Sequence, residues 1–398
     1  MFDSNYSELD TLNVRVFPLA KRESMTRLED VLIPPSRSPE PAPAAIEPAL
    51  ESCVEAIRKA RQKNAAVILM YGAHLIKNGG SALLIELMRR GWVTHLATNG
   101  AGVIHDWEFA YCGLTAESVR DNVARGTFGA WNETGKSLNL ALMIGGTRGW
   151  GFGESIGCWV MENGDVVPEA HELMEKICQY PTDATTAARA DLLAAVSIGL
   201  ATGRHRMRHQ YKQVSVAGNA WKFKVPLTVH PGIGYDIFTV HPLFNGSVIG
   251  RAGGVDFKRF NAAVDNLSDG VVLSIGSAIM APQVFEKSLS VVHNLRFQKK
   301  RPAISGHSFY VVDLHEGSNW DWSQGEPPKT SPEYYLRFCK SFSRMGGEMK
   351  YLCCDNTVFI HQLLQRLGVP EASTQEGESA EPEEPSSFLY DDGSGGEF

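Results

Sequence analysis

The sequence predicts an α/β protein with a Rossmann-like parallel sheet and helices on both faces. Six short apolar runs recur along the chain, and none alternates with polar residues as a half-exposed strand does. Most adjoin a longer segment with apolar residues at three- and four-residue spacing, which is typical of an amphipathic helix. Buried strands that each feed a helix indicate a parallel sheet, in which ligands bind beyond the carboxyl ends of the strands.

The predicted strands are residues 65–71, 92–98, 225–230, 270–276, 308–314 and 349–354. Clear helical patterns are SALLIELMRRG after the first strand, VDFKRFNAAVDNL before the fourth and PQVFEKSLSVVHNL after it. A content of 43% hydrophobic and 9% aromatic residues in 398 is enough to bury a large core. No run of eighteen apolar residues and no basic leader occurs, so we expect a cytoplasmic protein without a membrane partner.

Charge and proline content set the expected domain boundaries. The net charge is -7, but residues 371–398 hold nine acids and no Lys or Arg, which leaves +2 for the rest of the chain. A nearly neutral body gives no reason to expect nucleic acid as a partner. We interpret residues 1–48 as an N-terminal arm with a Pro-rich linker, 49–369 as one catalytic domain, and 370–398 as an acidic disordered tail. Residues 1–45 and the tail are expected to be dispensable for folding.

Two strand-to-helix turns contain glycines that let backbone N–H groups approach a phosphate. Thr98, Asn99, Gly100, Ala101 and Gly102 follow the second strand, and Gly276 with Ser277 follows the fourth. One such turn alone is as readily an ordinary tight connection. The two together predict a dinucleotide site.

Other motifs give weaker signals. The segment ETGKS at 133–137 has Ala130 where a P-loop needs glycine, so we expect a helix N-terminus or exposed loop rather than an ATP site. The glycine-rich segment 143–155 is expected to be an irregular loop, near the active site or purely structural. His205 and His209 have helical i, i+4 spacing but lack the glutamate of HExxH, so a basic helix is favoured and no metal is expected. His230 and His241 are either substrate contacts or structural residues.

Taken in order, these turns resemble the deoxyhypusine synthase family over about residues 65–365. LIKNGG (75–80) is similar to its first cofactor turn, and ATNGAGVIHD (97–106) to its Thr-rich glycine turn with a following acid. PGIGYDIF (231–238) resembles the segment whose aspartate holds the amine substrate. DGVVLSIGSAI (269–279) and YLCCDNTVF (351–359) are similar to the glycine-rich strand end and the last strand.

The resemblance implies an NAD-dependent transferase that oxidises a polyamine such as spermidine and transfers its aminobutyl group through a lysine imine, with a protein lysine as acceptor. It implies a homotetramer with NAD at the subunit interfaces. The implied catalytic residues are Lys340 and Glu333, with Lys329 and Lys77 as the next candidate lysines. The implied cofactor contacts are the two glycine turns with Asp106 and Asp355, and the implied substrate contacts are Asp236, Asp321 and Phe338.

Alternatives remain open from the residues themselves. The family's histidine after the glycine-rich strand end falls here at Ala281 or Pro282. The sequence around Lys340 is also typical of a surface lysine on an amphipathic helix. The other interpretations are an NAD-dependent enzyme with a different small-molecule substrate on the same scaffold, and a non-catalytic NAD-binding protein.

Overall fold

The computed structural model describes residues 7–315 and 320–370, and its core is a six-stranded parallel sheet in the order β10-β9-β8-β2-β3-β7. Within these ranges the strands are β1 (Thr26–Arg27), β2 (Val67–Tyr71), β3 (His95–Asn99), β4 (Leu114–Thr115), β5 (Gly164–Val167), β6 (Gly203–Arg206), β7 (Leu227–His230), β8 (Val271–Ile275), β9 (Ser308–Asp313) and β10 (Glu348–Cys353). The six sheet strands coincide with the six apolar runs, so the predicted fold class is confirmed.

The α-helices of the described ranges connect and cover these strands. They are α1 (Leu28–Val31), α2 (Glu47–Gln62), α3 (Ala73–Lys77), α4 (Ser81–Arg89), α5 (Gly100–Cys112), α6 (Val119–Arg125), α7 (Asn132–Gly146), α8 (Phe152–Met161), α9 (Ala170–Gln179), α10 (Thr186–Ser197), α11 (Val216–Phe223), α12 (Gly246–Asp265), α13 (Met280–Gln298), α14 (Arg337–Ser343) and α15 (Asn356–Leu367). None of them is long and apolar enough to cross a membrane.

Both faces of the sheet are covered, which explains why its strands lack polar alternation. Val67, Leu69 and Tyr71 of β2 pack into one apolar cluster with α2, α4, α5 and α15. Ile68 and Met70, which point the other way, pack into a second cluster with α12, α13 and α14. Every residue of β2 is therefore buried.

The glycine-rich segment 143–155 is mostly helical, contrary to the expected irregular loop. It forms the end of α7 and the start of α8, with a short connection between them. A methyl group on Gly145 would overlap Ser155, and one on Gly153 would overlap the carbonyl oxygen of Leu227. The glycines therefore serve close packing of two helices and β7. The ETGKS segment lies at the N-terminus of α7, one of the two placements expected from the sequence.

The basic segment RHRMRHQ does not form the expected helix. Residues 203–206 form β6, which pairs antiparallel with β5. His205 lies against the carbonyl oxygen of Ala201, with its Nε2 at 2.7 Å, whereas His209 is buried edge-on against Trp107. The two histidines therefore do not share a helix face.

The N-terminal segment packs into the body more closely than an arm would. Leu19, Leu28 and Ile46 are buried in the first apolar cluster. The Arg22 guanidinium donates two hydrogen bonds to Glu108 of α5, at 2.6 and 3.0 Å, and both side chains are only 1% exposed. Residues beyond position 18 thus contribute buried contacts, against the expectation that residues 1–45 are dispensable for folding.

Several expectations stay predictions. Of the predicted acidic tail, 370–398, only Pro370 lies within the described residues. The homotetramer, the protein lysine acceptor, the cytoplasmic location and the domain limits at residues 48 and 369 stay predictions as well.

Candidate functional site: the crevice at the switch point

The order of the strands places a topological switch point between β2 and β8. From β2 the chain moves outward through β3 and β7, then returns to β8 on the other side of β2 and continues to β9 and β10. This is the 3-2-1-4-5-6 order of dinucleotide-binding sheets. In such sheets a crevice opens beyond the carboxyl ends of the two central strands, and ligands bind there.

Two glycines meet at this crevice. Gly72 follows β2 and its N–H donates to Ile275 O at 3.0 Å, while a methyl group on Gly72 would overlap the carbonyl oxygen of Gly276. Gly276 follows β8 with a φ of +55°, a conformation that favours glycine. The side-chain amide of Asn356, at the start of α15, occupies the space a Gly276 side chain would need. Gly72 and Asn356 were missed in the sequence; the glycine directly after the VILMY strand was the available signal.

The Ser277 hydroxyl, assigned to the cofactor, accepts a hydrogen bond from Ala281 N at 3.2 Å and so supports the start of α13. The LIKNGG segment, expected as a cofactor turn, also has a structural role. A methyl group on its Gly79 would overlap Val31 O, and Ile33 N donates to Gly79 O at 3.1 Å. This turn therefore holds the N-terminal segment.

The turn after β3, residues 98–102, also lies at the carboxyl edge of the sheet. Its five residues have different structural roles. The buried Thr98 hydroxyl donates to Tyr71 O at 3.0 Å and links β3 to β2. Asn99 caps α5 by accepting from Gly102 N at 2.9 Å. Gly100 and Ala101 form the first turn of α5, so this helix N-terminus faces the end of the sheet. Gly102 has no room for a side chain beside Thr98.

Asp236 lies beyond the end of β7, next to β3, and His230 is the last residue of β7. The Asp236 carboxyl is 3% exposed, contacts Gly100 and accepts a hydrogen bond from Gly232 N at 2.7 Å. Burial raises its pKa to about 6. The His230 Nε2 lies 3.3 Å from the Thr228 hydroxyl, which also contacts His95 at 3.1 Å, and burial lowers the pKa of His230 to about 4. Perturbed titratable groups in a cleft are typical of functional sites.

Asp106, expected to contact the cofactor, is instead a helix cap. Its carboxyl accepts from the Ser215 hydroxyl at 2.7 Å and from Val216 N and Ala217 N at 2.6 and 3.1 Å. These groups start α11, which packs beside α5. The acid after the glycine turn therefore points away from the crevice and into the packing between two helices.

We expect Asp106→Ala to lower the free energy of unfolding by about 3 kcal/mol, because three buried donors lose their acceptor. The NAD affinity should stay within about twofold of wild type, since the carboxyl does not face the crevice. Urea unfolding and calorimetry measure the two quantities. Asp106→Asn, which keeps one acceptor oxygen, is the matched control and should lose less. A variant with normal stability and lost cofactor binding would return Asp106 to the site.

Asp355 and Asp321 are caps as well. Asp355 accepts from Thr357 N at 2.8 Å and Val358 N at 3.1 Å at the start of α15, and the exposed Asp321 accepts from Ser323 N at 3.0 Å. The residue after Asp355, Asn356, is the one that reaches the crevice.

The structure places the expected catalytic residues at the far edge of the sheet. Lys340 lies on α14, which connects β9 to the edge strand β10, and its Nζ sits 3.5 Å from the ring centre of Tyr334. Glu333 accepts from the Ser331 hydroxyl, and Phe338 packs near Tyr351 with ring centres 6.0 Å apart. Five strand spacings of about 4.8 Å put roughly 24 Å between this edge and β7, which precedes Asp236. Lys340 and Asp236 therefore do not form one site within a chain.

Exposed apolar side chains lie at the carboxyl edge of the sheet. They follow three different strands of the sheet at its carboxyl edge: Ile233 and Tyr235 after β7, Ile279 after β8 and Leu314 after β9. Their exposed fractions lie between 59% and 72%. Where such side chains form a contiguous patch, they indicate a binding surface. We call these four residues the apolar rim.

A second cleft lies away from the sheet edge, between the N-terminal segment, α5 and the residues after β6. Its lining includes Arg22, Tyr111, Glu133, Arg206 and Arg208. It shares no residue with the switch-point crevice. We favour the crevice as the functional site because the strand order itself creates it.

No family model and no curated protein matches the sequence. Among solved structures, the chain is similar to AgrE in its ternary complex with ornithine and NAD+ (15% identity, TM-score 0.40, 83% of this chain and 34% of that one). It is similar to ArgZ, an arginine dihydrolase from cyanobacteria (15%, 0.36, 81% and 32%). It also matches a conserved putative LOR/SDH protein from Methanococcus maripaludis S2 (14%, 0.41, 84% and 73%).

The chain spans only about a third of the length of AgrE and ArgZ. These matching structures are not deoxyhypusine synthases, so the family resemblance inferred from the sequence is wrong. The spermidine substrate and the aminobutyl transfer, which were predicted only from that resemblance, are withdrawn with it. Glycine turns after parallel strands recur in many nucleotide-binding sheets. Their order along the chain therefore does not distinguish one such family from another.

Proposed function

We propose that this protein binds NAD in the switch-point crevice and is an NAD-dependent enzyme acting on a small molecule. The observation that carries the proposal is the strand order, which reproduces that of dinucleotide-binding sheets with the crevice between β2 and β8.

The crevice fits a dinucleotide on the geometry of its own residues. Gly72 and Gly276 let the ends of the two central strands approach each other and Asn356, because the space that a side chain on either glycine would need is filled by protein atoms. Asn356 Oδ1 is buried and has no hydrogen-bond partner among the described residues, so it can accept one from a ligand. The apolar rim supplies surface for flat rings. Asn356 and Ile279 would hold the cofactor.

The catalytic half of the proposal rests on His230. When bound, NAD supplies a hydride acceptor. His230 is neutral near pH 7, because burial depresses its pKa, and its ring can exchange hydrogen bonds with the Thr228 hydroxyl and a substrate. A substrate-dependent rise in NADH absorbance tests for turnover. Tight NAD binding without turnover on any amino acid, hydroxy acid or amine would favour the non-catalytic alternative.

Calorimetry with NAD, NADH and ATP tests the binding half, and we expect dinucleotide binding without ATP binding. Ile279→Asp should weaken NAD about tenfold or more, since it places a charge where the rim meets the ligand. Its melting temperature should not change, because the side chain is 72% exposed.

Ile198→Asp is the matched control, with 76% exposure at the end of α10, and should bind NAD normally. ATP binding without dinucleotide binding would overturn the proposal. Equal losses in both variants would show that the apolar rim is not involved.

A further inference from the structure

The strand that normally supplies the ribose-binding acid ends here in an amide. In dinucleotide-binding sheets an Asp or Glu about 20 residues after the first glycine turn accepts the ribose 2′-hydroxyl. The corresponding position is the end of β3, the second strand of the first half, and it is occupied by Asn99. The Asn99 side-chain oxygen already accepts from Gly102 N. This strand therefore contributes no negative charge to the crevice.

A carboxylate reaches the same place from the neighbouring strand. Asp236 follows β7, which pairs with β3 in the register Asn99↔His230. A methyl group on Gly100, the residue after Asn99, would overlap the Asp236 carboxyl and lie 2.7 Å from its Oδ1. Asp236 therefore sits against the first residue of α5, where an acid at the end of β3 would point.

The Asp236 carboxyl keeps acceptor capacity for a ligand. Its Oδ2 accepts one hydrogen bond, from Gly232 N, and among the described residues no nearby cation lowers the pKa of this carboxyl. A carboxylate has about four acceptor positions, so hydroxyl groups can still bind. Tyr235, 71% exposed beside it, offers a flat surface for an adenine ring.

Resting on the proposed function, we propose that Asp236 is the specificity-determining residue of the cofactor site. It accepts the hydroxyls of the adenosine ribose and excludes a 2′-phosphate through like-charge repulsion. The chain then selects NAD over NADP by an acid supplied from its third strand instead of its second.

Calorimetric Kd values for NAD and NADP test this inference, and the wild-type protein should prefer NAD at least tenfold. Asp236→Asn keeps an oxygen for Gly232 N and should weaken NAD about tenfold while tightening NADP. Asn99→Asp, added to Asp236→Asn, puts an acid at the usual position and should restore the NAD preference. Aspartate also caps helices well, so α5 should keep its start.

The outcomes separate this inference from the proposed function. If the wild-type protein binds neither dinucleotide, the proposed function fails. If it binds NAD but accepts NADP equally well, or if Asp236→Asn folds with an unchanged preference, the role of Asp236 is overturned while the NAD site stands. A melting curve for each variant shows whether it is folded.

Discussion

Replacing Arg22 with methionine is expected to lower the free energy of unfolding by about 3–5 kcal/mol, because the variant leaves Glu108 buried without its cation. The Arg22 and Glu108 side chains are 1% exposed, and Glu108 also accepts from Thr115 and Thr134. Methionine retains most of the length of the arginine stem, so the loss reports the missing charge. Urea unfolding at pH 7 measures it.

Arg120→Met is the matched control for this prediction. Arg120 pairs with Asp121 at 3.2 Å, but its side chain is 92% exposed, and such pairs contribute about 0–1 kcal/mol. The double variant Arg22→Met with Glu108→Gln should recover part of the lost stability, since no unpaired charge remains. A loss below about 1 kcal/mol in Arg22→Met would mean that the N-terminal segment is only loosely attached.

The second large effect is expected from acid. Burial lowers the pKa of His95 to about 3. It lowers the pKa of five other histidines to about 4: His105, His209, His230, His241 and His307. An unfolded histidine titrates near pH 6.5. Between pH 6.5 and 4 the unfolded chain therefore binds protons that the folded chain does not. The stability from these groups is complete above pH 6.5 and is lost as the pH falls.

Three buried carboxyls act in the opposite direction. Burial raises the pKa values of Asp106 and Asp236 to about 6 and that of Asp256 to about 7, so these groups stabilise the fold as the pH falls from 7 toward 4. The six histidines outnumber them. We expect a net loss on the order of 5 kcal/mol between pH 7 and 5.

Urea unfolding at half-unit pH steps measures this dependence. His307→Gln should reduce the slope of the unfolding free energy against pH below pH 6.5, by an amount that corresponds to nearly one bound proton. His171→Gln, which changes an exposed side chain, should leave it as it is. Constant stability from pH 7 to 5 would contradict the burial of these rings.

The sheet was predictable because its signal is local. A strand buried on both faces is mostly apolar, and each of the six runs shows this within six or seven residues. The helices α4, α12 and α13 were equally visible from their own spacing. What the pattern could not show was the order of the strands, since that depends on which buried surfaces fit together.

The site was less predictable because its residues act across long separations. Asp106 looks like a cofactor contact in the sequence, but its partners lie 109 to 111 positions later. Lys340 and Asp236 look compatible until the sheet order puts them at opposite edges. The glycines of 143–155 indicate close packing as readily as a loop, and only the contact partners distinguish the two.

The central pairing of β2 with β8 has a consequence for synthesis of the chain. Val67 pairs with Val271, about 200 residues later. At 5–20 residues per second, a ribosome needs roughly 10–40 s to make that stretch. During this time the edge of β2 that faces β8 is an unpaired, wholly apolar strand edge, which is a template for aggregation. The nascent protein must therefore be shielded along VILMY, by helices already folded or by a chaperone, until its second half arrives.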